Sequence, residues 1–237
     1  MEWTASAIVL GTRKHGEAGV ILEVMTRDKG RHLGLVRGGR SRRMAPLLQA
    51  GNSLSATWRA RLDEHLGNFT VEGERLRGAD LMNRPTALNV IQLCAAHLRL
   101  LPERDPHARL HDMLGLILEN VDDRTTLLAL AARFELLLLE ELGFGLDLST
   151  CAGTGTRDNL IYVSPKSGRA VCAEAGEPYK DKLLALPAFL RGSLDWLVQG
   201  DIAKAFALTG FFLERDVWVP RGVRPPDGRE TLVSRSG

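Results

Sequence analysis

The chain has 237 residues, of which 44% are apolar, and its formal net charge is only +2, which fits an ordinary globular protein of one to three domains. Its three scattered cysteines exclude a disulfide framework, and no apolar run approaches the roughly 18–20 residues of a membrane-spanning helix. The first residues lack the charged start and long apolar core of a secretory signal, so we expect a cytoplasmic protein without a membrane role.

Residues 1–80 are predicted to form a small β domain. Five short β-prone runs follow one another there, separated by glycine-rich or charged segments: Ala7–Leu10, Val20–Met25, Leu33–Val36, Leu54–Trp58 and Phe69–Val71. Five strands fit an OB-fold barrel, whose closure removes exposed strand edges, although the strand count fits an SH3-like barrel equally well. Residues 38–50 are too many for a tight turn, and Leu47 and Leu48 within them are expected to pack inward.

The strongest charge pattern of the chain lies at residues 27–43, RDKGRHLGLVRGGRSRR, where seven basic residues face a single acid, Asp28. Guanidinium groups fork onto phosphate oxygens and glycine lets the backbone approach closely, so the pattern is typical of phosphate recognition. A solvated hairpin whose charges keep the edge soluble is an equally good interpretation. Residues 1–80 hold 13 Lys+Arg and 9 Asp+Glu, a net +4, whereas residues 81–237 hold 18 and 20, a net −2. The positive field therefore belongs to the first domain.

Helical periodicity begins after Pro85. A first helix is predicted over residues 87–101, and Asp105-Pro106 is a start signal for a second. A third helix, from about Thr125 to Leu142, is apolar on nearly every face and is predicted to be the centre of a bundle. Residues 81–148 are therefore interpreted as the first part of a helical domain.

Residues 149–178 are predicted to form a small β-hairpin module, with strands at Leu160–Val163 and Arg169–Cys172 joined by a turn. Residues 179–219 form the second helical part, with helices at Phe189–Val198 and, capped by Asp201, from Ile202 to about Trp218. Residues 220–237, rich in Pro, Gly and Arg, are predicted to be disordered. The predicted fold class is α+β and multidomain.

The sequence predicts no catalytic, cofactor or metal site. Cys151 and Cys172 each lack the second cysteine two residues away that indicates a zinc ribbon, and we expect both thiols to pack as small apolar groups. His107 and His111 have a spacing that can hold a metal, but a third ligand is not evident, and surface histidines beside Asp105 and Asp112 are the simpler interpretation. Nucleotide-binding and hydrolase motifs are absent from the sequence, so no enzyme is predicted.

In its order of parts the chain resembles the bacterial RecO family of recombination mediators. The segments that carry the resemblance span most of the chain: AIVLGTRKHGEAGVILEVMTRDKGRHLGLVRGGR, LLQAG, FELLLLEELGFGLDL and YVSPKSGRAVCAEAGEPY. The resemblance implies an OB-fold barrel followed by a helical domain with an inserted, degenerate zinc-finger-like hairpin. Many members of the family carry four metal-binding cysteines in that hairpin, whereas only Cys151 and Cys172 stand here, as in the zinc-less branch of the family.

The resemblance also implies a nucleoid-associated protein of the RecF pathway that binds single- and double-stranded DNA. Such proteins anneal strands coated with single-strand-binding protein, whose C-terminal tail they bind, and act with RecR to help load RecA. The candidate DNA-binding residues are the basic residues of the barrel: Arg13, Lys14, Arg27, Lys29, Arg31, Arg37, Arg40, Arg42 and Arg43. Trp3, Trp58 and Phe69 are the only candidate stacking platforms in the barrel, so base-specific reading is not predicted. The alternative function is a scaffold whose basic barrel binds an acidic protein and not DNA.

Overall fold

The computed structural model describes residues 1–62 and 64–234. The chain divides into two compact units, residues 1–121 and a second unit that begins at Asp122. The first unit holds a closed β-barrel and three helices, and the second holds a central helix, a small sheet and further helices. This architecture confirms the predicted α+β class. The helical segment predicted at residues 81–148 is divided between the two units, because its first helices pack with the barrel.

Five strands close the barrel in the order β1-β2-β3-β5-β4, which is consistent with an OB-fold. The strands are β1 (Glu2–His15), β2 (Gly19–Thr26), β3 (Gly30–Val36), β4 (Ser53–Arg59) and β5 (Asn68–Arg75). Strand β1 is long enough to pair with β4 through its first half and with β2 through its second. A single parallel pair, Leu35 with Asn68, joins β3 to β5. All five strands were predicted, and each extends beyond its β-prone run.

Alternate side chains of the strands fill the barrel. In β3 every second residue from Gly30 to Val36 is buried. Trp58 is fully buried, and its indole N–H donates to the Leu66 carbonyl at 3.0 Å. Gly34 lies against the ring of Phe69, where a Cβ atom would stand only 2.5 Å from a ring carbon. The barrel wall therefore needs glycine at this position.

The long connection between β3 and β4 is held by one buried side chain, Asn52. Its Nδ2 donates to the carbonyls of Pro46 and Leu47, both at 2.9 Å. Its Oδ1 accepts from the backbone N–H groups of Arg77 at 2.7 Å and Gly78 at 2.8 Å. Because all four hydrogen bonds are made in a buried place, Asn52 fixes the end of the connection to the start of the first helix.

Helices α1 (Gly78–Met82), α2 (Pro85–Leu98) and α3 (Ala108–Glu119) complete the first unit. The predicted start of α3 at Asp105-Pro106 is wrong, because the helix begins two residues after Pro106. The Arg104 backbone N–H donates to the Arg31 carbonyl of β3 at 2.8 Å, and Arg104 has a φ of 66°. This contact with the barrel keeps the chain before Ala108 out of the helical conformation.

The second unit is built around α4 (Arg124–Glu141), the central helix that the sequence predicts. Asp123 caps it, since its Oδ1 accepts from the backbone N–H groups of Thr125 at 2.9 Å and Thr126 at 3.2 Å. The helix ends before Gly143, whose φ is 86°. Its buried side chains cover every face: Leu127, Leu128, Ala129, Leu130, Ala131, Ala132, Phe134, Glu135, Leu137, Leu138 and Leu139.

The predicted hairpin is present as β6 (Leu160–Val163) and β7 (Ala170–Cys172). A third strand that was not predicted, β8 (Leu184–Ala185), pairs with β6, giving the order β7-β6-β8. Helix α5 (Ala173–Gly176) and a 3₁₀ turn over Glu177–Lys182 connect β7 to β8.

The prediction of a helix at Phe189–Val198 is wrong. The structure has two single 3₁₀ turns there, Ala188–Leu190 and Leu194–Trp196. The guanidinium group of Arg133 on α4 donates to the carbonyls of Phe189 and Gly192. A helix needs those carbonyls for its own hydrogen bonds, so the contact with α4 overrides the apolar periodicity.

The last helices are α6 (Asp201–Leu213), which continues as a π turn over Glu214–Trp218, then α7 (Val219–Arg221) and α8 (Asp227–Ser234). Asp201 is the first residue of α6, and the cap position belongs to Gly200. The disorder predicted from residue 220 is wrong for the described part of this segment, because α8 is ordered and Leu232 is buried. Residues 235–237 lie outside the described residues.

Helix α8 is anchored by an ion pair. Arg229 Nε lies 2.8 Å from Glu135 Oε1, and Arg229 Nη2 lies 2.9 Å from Glu135 Oε2. Glu135 is fully buried on α4, and the Thr209 hydroxyl also donates to it, at 2.5 Å. The Arg229 guanidinium lies over the rings of Phe206 and Trp218, 5.5 Å from each centroid. The carboxylate inside this unit is therefore neutralised by the C-terminal helix.

Candidate nucleic-acid interface

Six exposed basic residues belong to the two segments that meet at one end of the barrel, the end of β1 and the start of the β3–β4 connection, and we call them the basic rim: Arg13, Lys14, Arg37, Arg40, Arg42 and Arg43. Residues 13–18 and 37–43 contain one acid, Glu17. Within the described chain none of the six forms an ion pair. All six belong to the nine candidate residues identified from the sequence.

Strand register explains why residues so far apart in sequence share one end. Lys14 of β1 faces Val20 of β2, and Val20 faces Val36 of β3. Arg37 directly follows Val36, so the end of β1 and the start of the β3–β4 connection lie at the same end of the barrel.

The β3–β4 connection is also tied back to the β1–β2 turn. The Arg40 backbone N–H donates to the Ala18 carbonyl at 3.2 Å, and Arg40 Nη1 donates to the Glu17 carbonyl at 2.7 Å. These acceptors are neutral, so the charge of Arg40 remains uncompensated. Arg42 and Arg43 follow on the same tethered turn.

Arg27 and Arg31 are not part of this surface. Arg27 lies at the opposite end of the β2–β3 hairpin, about 26 Å along the chain from Gly19. Its guanidinium donates to both carboxylate oxygens of Asp112 on α3, at 3.2–3.3 Å. Hydrogen bonds from His111 and from Arg27 hold the pKa of Asp112 below its usual value, so this carboxylate stays ionised beside Arg27.

Arg31 is largely buried and serves as a structural tie. Its Nη1 lies 2.9 Å from Glu23 Oε1, and its Nη2 donates to the Leu101 carbonyl at 3.3 Å. Arg99, next to the end of α2, binds the other oxygen of Glu23 at 2.6 Å. Glu23 thus joins the barrel to the segment after α2. Because the guanidinium group of Arg31 is paired with this carboxylate, it is not available to a ligand. Lys29 is exposed, but it lies at the Arg27 end of the hairpin.

A groove of about 570 Å³ opens where β3 and β5 are joined by a single residue pair. Arg37 and Arg43 of the basic rim line it, together with Arg59, which was not among the candidate residues. Arg59 also pairs with Glu2 at 2.7 Å. Its place at the end of β4 is visible in the sequence, but its nearness to the β3–β4 connection depends on how the barrel closes.

The aromatic side chains of the barrel pack on one another. Phe69 and Trp58 are buried, which agrees with the inward position expected for Phe69. Trp3 is partly buried and stacks on Trp58 with their centroids 6.0 Å apart, and His32 meets Trp58 edge-on at 4.9 Å. These rings fill the barrel and are not arranged as an open row on which successive bases could stack.

The predicted hairpin module contains two cysteines, Cys151 and Cys172. Structural zinc needs four ligands, and the described residues include no cluster of three or more His, Cys, Asp or Glu side chains that could hold a metal. The Cys151 sulfur accepts hydrogen bonds from two backbone N–H groups, that of Cys172 at 3.3 Å and that of Gly153 at 3.4 Å. The expectation that both thiols pack merely as apolar groups is therefore wrong for Cys151.

These contacts change the acidity of Cys151. Burial raises the pKa of the thiol, but hydrogen bonds from the Thr154 hydroxyl and from the N–H groups of Cys172, Thr154 and Gly153 outweigh it and lower the pKa to about 6. The hydrogen-bond donors around the sulfur therefore favour its thiolate form.

The histidine pair of α3 is placed differently from the expectation of two surface residues. His107, the cap residue, is buried, with Nε2 3.6 Å from Asp105 Oδ2. His111 is half-buried and lies 3.1 Å from Asp112 Oδ1.

Among the described residues, no helix is both long and apolar enough to cross a membrane.

The chain matches two family models, "Recombination protein O N terminal" over residues 1–74 and "Recombination protein O C terminal" over residues 90–225. It is 56% identical over 238 residues to the DNA repair protein RecO of Brucella abortus, covering 100% of this chain and 96% of the relative. It is 58% identical over 235 residues to the protein of the same name from Mesorhizobium japonicum, covering 99% and 93%. The corresponding protein of a Chelativorans species is 59% identical over 235 residues, covering 99% and 95%. Both units of the chain are matched, and the protein belongs to the RecO family.

Proposed function

We propose that this protein acts in DNA repair and recombination by binding the sugar–phosphate backbone of single- and double-stranded DNA through the basic rim. The observation that carries the proposal is the group of six exposed, unpaired cations at one end of the barrel. Guanidinium and ammonium groups that form no ion pair are available for phosphate oxygens, and phosphate contacts dominate sequence-independent affinity for DNA. The proposed role in repair follows from the relatives, which are named DNA repair proteins.

The proposed mechanism is annealing of complementary strands. Positive charge at the basic rim neutralises phosphates of two strands and lowers the repulsion between them. Because Trp58 and Phe69 are buried in the barrel, the bases are not sequestered by stacking and stay free to pair. Such a process needs no catalytic group, so we propose a non-enzymatic mediator. Lys29 and Arg27, at the other end of the hairpin, are secondary candidates for DNA contact.

The partners are proposed from the family relationship. They are strands coated with single-strand-binding protein, the C-terminal tail of that protein, RecR and, indirectly, RecA in the RecF pathway. We propose that the protein works in the cytoplasm on nucleoid DNA. Contacts with the tail are assigned to the helical part of the chain.

A salt titration of DNA binding tests the proposal. If all six side chains of the basic rim contact phosphates of a single strand, the logarithm of the binding constant falls with the logarithm of salt at a slope of about −4.2, from roughly 0.7 per contact. Raising salt from about 50 mM to about 200 mM should then weaken binding roughly 300-fold. Fluorescence anisotropy of a labelled oligonucleotide measures both quantities.

Two further measurements separate annealing from the scaffold alternative. Complementary strands coated with single-strand-binding protein should anneal faster with the protein than without it. An acidic peptide titrated into the DNA complex should compete weakly at most. Tight peptide binding together with salt-independent or undetectable DNA binding would favour the scaffold.

A further inference from the structure

The sulfur atoms of Cys151 and Cys172 belong to one small polar cluster beneath the turn that follows Cys151. The backbone N–H of Cys172 points at Cys151 Sγ at 3.3 Å. The Thr154 hydroxyl lies 3.6 Å from Cys172 Sγ and also forms a hydrogen bond with the Cys151 thiol. One hydroxyl group therefore contacts both sulfurs, although 20 residues separate the two cysteines in sequence.

This geometry brings the two cysteines within reach of a disulfide. The Cys172 nitrogen is one bond from its own Cα, and Cys151 Sγ is two bonds from the Cys151 Cα. Adding these bond lengths to the 3.3 Å contact places the two Cα atoms at most about 8 Å apart. Disulfides span Cα separations of roughly 4.4–6.8 Å, so the bond requires the turn to move by at most about 1 Å.

The chain after Cys151 forms a turn closed by two backbone hydrogen bonds, from the Cys151 N–H to the Thr156 carbonyl at 2.7 Å and from the Gly155 N–H to the Cys151 carbonyl at 2.9 Å. Cys151 and Cys172 are themselves buried, but residues 152–155 of the covering turn are exposed. Gly155 has a φ of 76°, and open space surrounds the position of its missing Cβ. The Cys151 sulfur therefore lies close beneath an exposed turn, and the hydrogen bonds that it accepts favour the reactive thiolate form.

We propose that Cys151 and Cys172 form a reversible intramolecular disulfide when the protein meets a peroxide oxidant. The Cys151 thiolate attacks one oxygen of hydrogen peroxide, the O–O bond breaks, and the released hydroxide takes a proton to become water, which leaves a sulfenic acid on Cys151. The Cys172 thiol then attacks that sulfur, its proton leaves with the hydroxyl group as a second water, and the S–S bond forms. The two thiols are oxidised and one peroxide is reduced. A low-molecular-weight dithiol reverses the reaction by exchange.

Peptide mapping after oxidation tests the proposal. The full-length protein is treated with hydrogen peroxide, alkylated and digested with trypsin, which cuts after Arg157, Lys166 and Arg169 and so places the two cysteines in separate peptides. We expect one cross-linked pair of peptides lacking two hydrogens, lost on treatment with dithiothreitol. Recovery of both cysteines in alkylated form, under conditions that oxidise a reference dithiol protein, would overturn the proposal. A cross-link found only between two chains on a non-reducing gel would do the same.

Three variants give the controls. Cys94→Ser changes the third cysteine, on α2, and should leave the cross-link intact. Cys172→Ser removes the resolving thiol, so a sulfenic-acid probe should label Cys151 in this variant more than in the unchanged protein. Thr154→Val removes the shared hydroxyl, and the cross-link should form several-fold more slowly, because less of Cys151 is ionised. An unchanged rate in Thr154→Val, with the fold intact, would contradict the assigned role of the cluster.

Discussion

Replacing Arg40, Arg42 and Arg43 together by alanine should weaken DNA binding strongly at low salt and weakly at high salt. The three side chains are exposed, and that of Arg40 donates to one neutral carbonyl, so the fold should be retained. Removing three of six phosphate contacts changes the predicted salt slope from about −4.2 to about −2.1. The difference corresponds to a loss of roughly 100-fold, or about 2.7 kcal/mol, at about 0.1 M salt, which disappears towards about 1 M.

The assay is anisotropy of a labelled single strand over a series of salt concentrations, with a thermal melt of each protein to confirm the fold. A matched control removes the same amount of charge elsewhere, by replacing three exposed residues of the second unit, Arg157, Lys166 and Lys182, with alanine. The control should keep a slope near −4.2. Equal losses in both variants would show that only net charge matters, and an unchanged slope in the first variant would refute the basic rim as the binding surface.

Four further predictions concern stability. Arg229→Met should lower the free energy of unfolding by about 3–5 kcal/mol in urea titrations, because it removes the guanidinium group that neutralises the buried carboxylate of Glu135; a loss below about 1 kcal/mol would mean that α8 is not held by this pair. Asn52→Ala breaks four buried hydrogen bonds and should cost about 3 kcal/mol by the same measurement, and a neutral effect would contradict its role in fixing the β3–β4 connection. Asp123→Ala removes the cap of α4 and should cost about 1 kcal/mol at neutral pH. Hydrogen bonds from Thr126 lower the pKa of Asp123 in the folded protein, so its stabilisation is present above pH about 4 and is lost as the pH falls through the lowered value; a deficit in the variant that persists in strong acid would argue against this cause. Finally, a metal chelator should leave the melting temperature unchanged, and a drop on chelation would reveal a metal that the two-cysteine cluster does not explain.

The barrel could be predicted because its signals are local. Alternating apolar residues and glycine-rich breaks define each strand of β1 to β5 before any tertiary contact is known. The basic rim was also visible as a run of arginines. The sequence could not show that Arg31 turns inward to Glu23 or that Arg27 is bound by Asp112, because both acids belong to other elements. The sequence shows which residues are charged, whereas the ion pairs of the folded protein determine which of those charges remain available to a ligand.

The failures further along the chain have the same origin. The apolar pattern at Phe189–Val198 is helical in period, but Arg133 of α4 takes two carbonyls that a helix needs. The composition of the last residues indicates disorder, yet one arginine of that segment, Arg229, neutralises Glu135, which lies 94 residues away in sequence. Local propensity has no information about such partners, and a single long-range ion pair is enough to override it.

The attachment of the β3–β4 connection by Asn52 has a consequence for how this protein can vary. Its four hydrogen bonds hold the far end of the connection, at Pro46 and Leu47, and involve none of the arginines at positions 40, 42 and 43. Anchoring and charge are thus encoded by different residues of one segment. Substitutions that add or remove arginines there can adjust attraction to polyanions in small steps while the barrel keeps its shape, which makes this segment a suitable place for evolution or protein engineering to tune affinity.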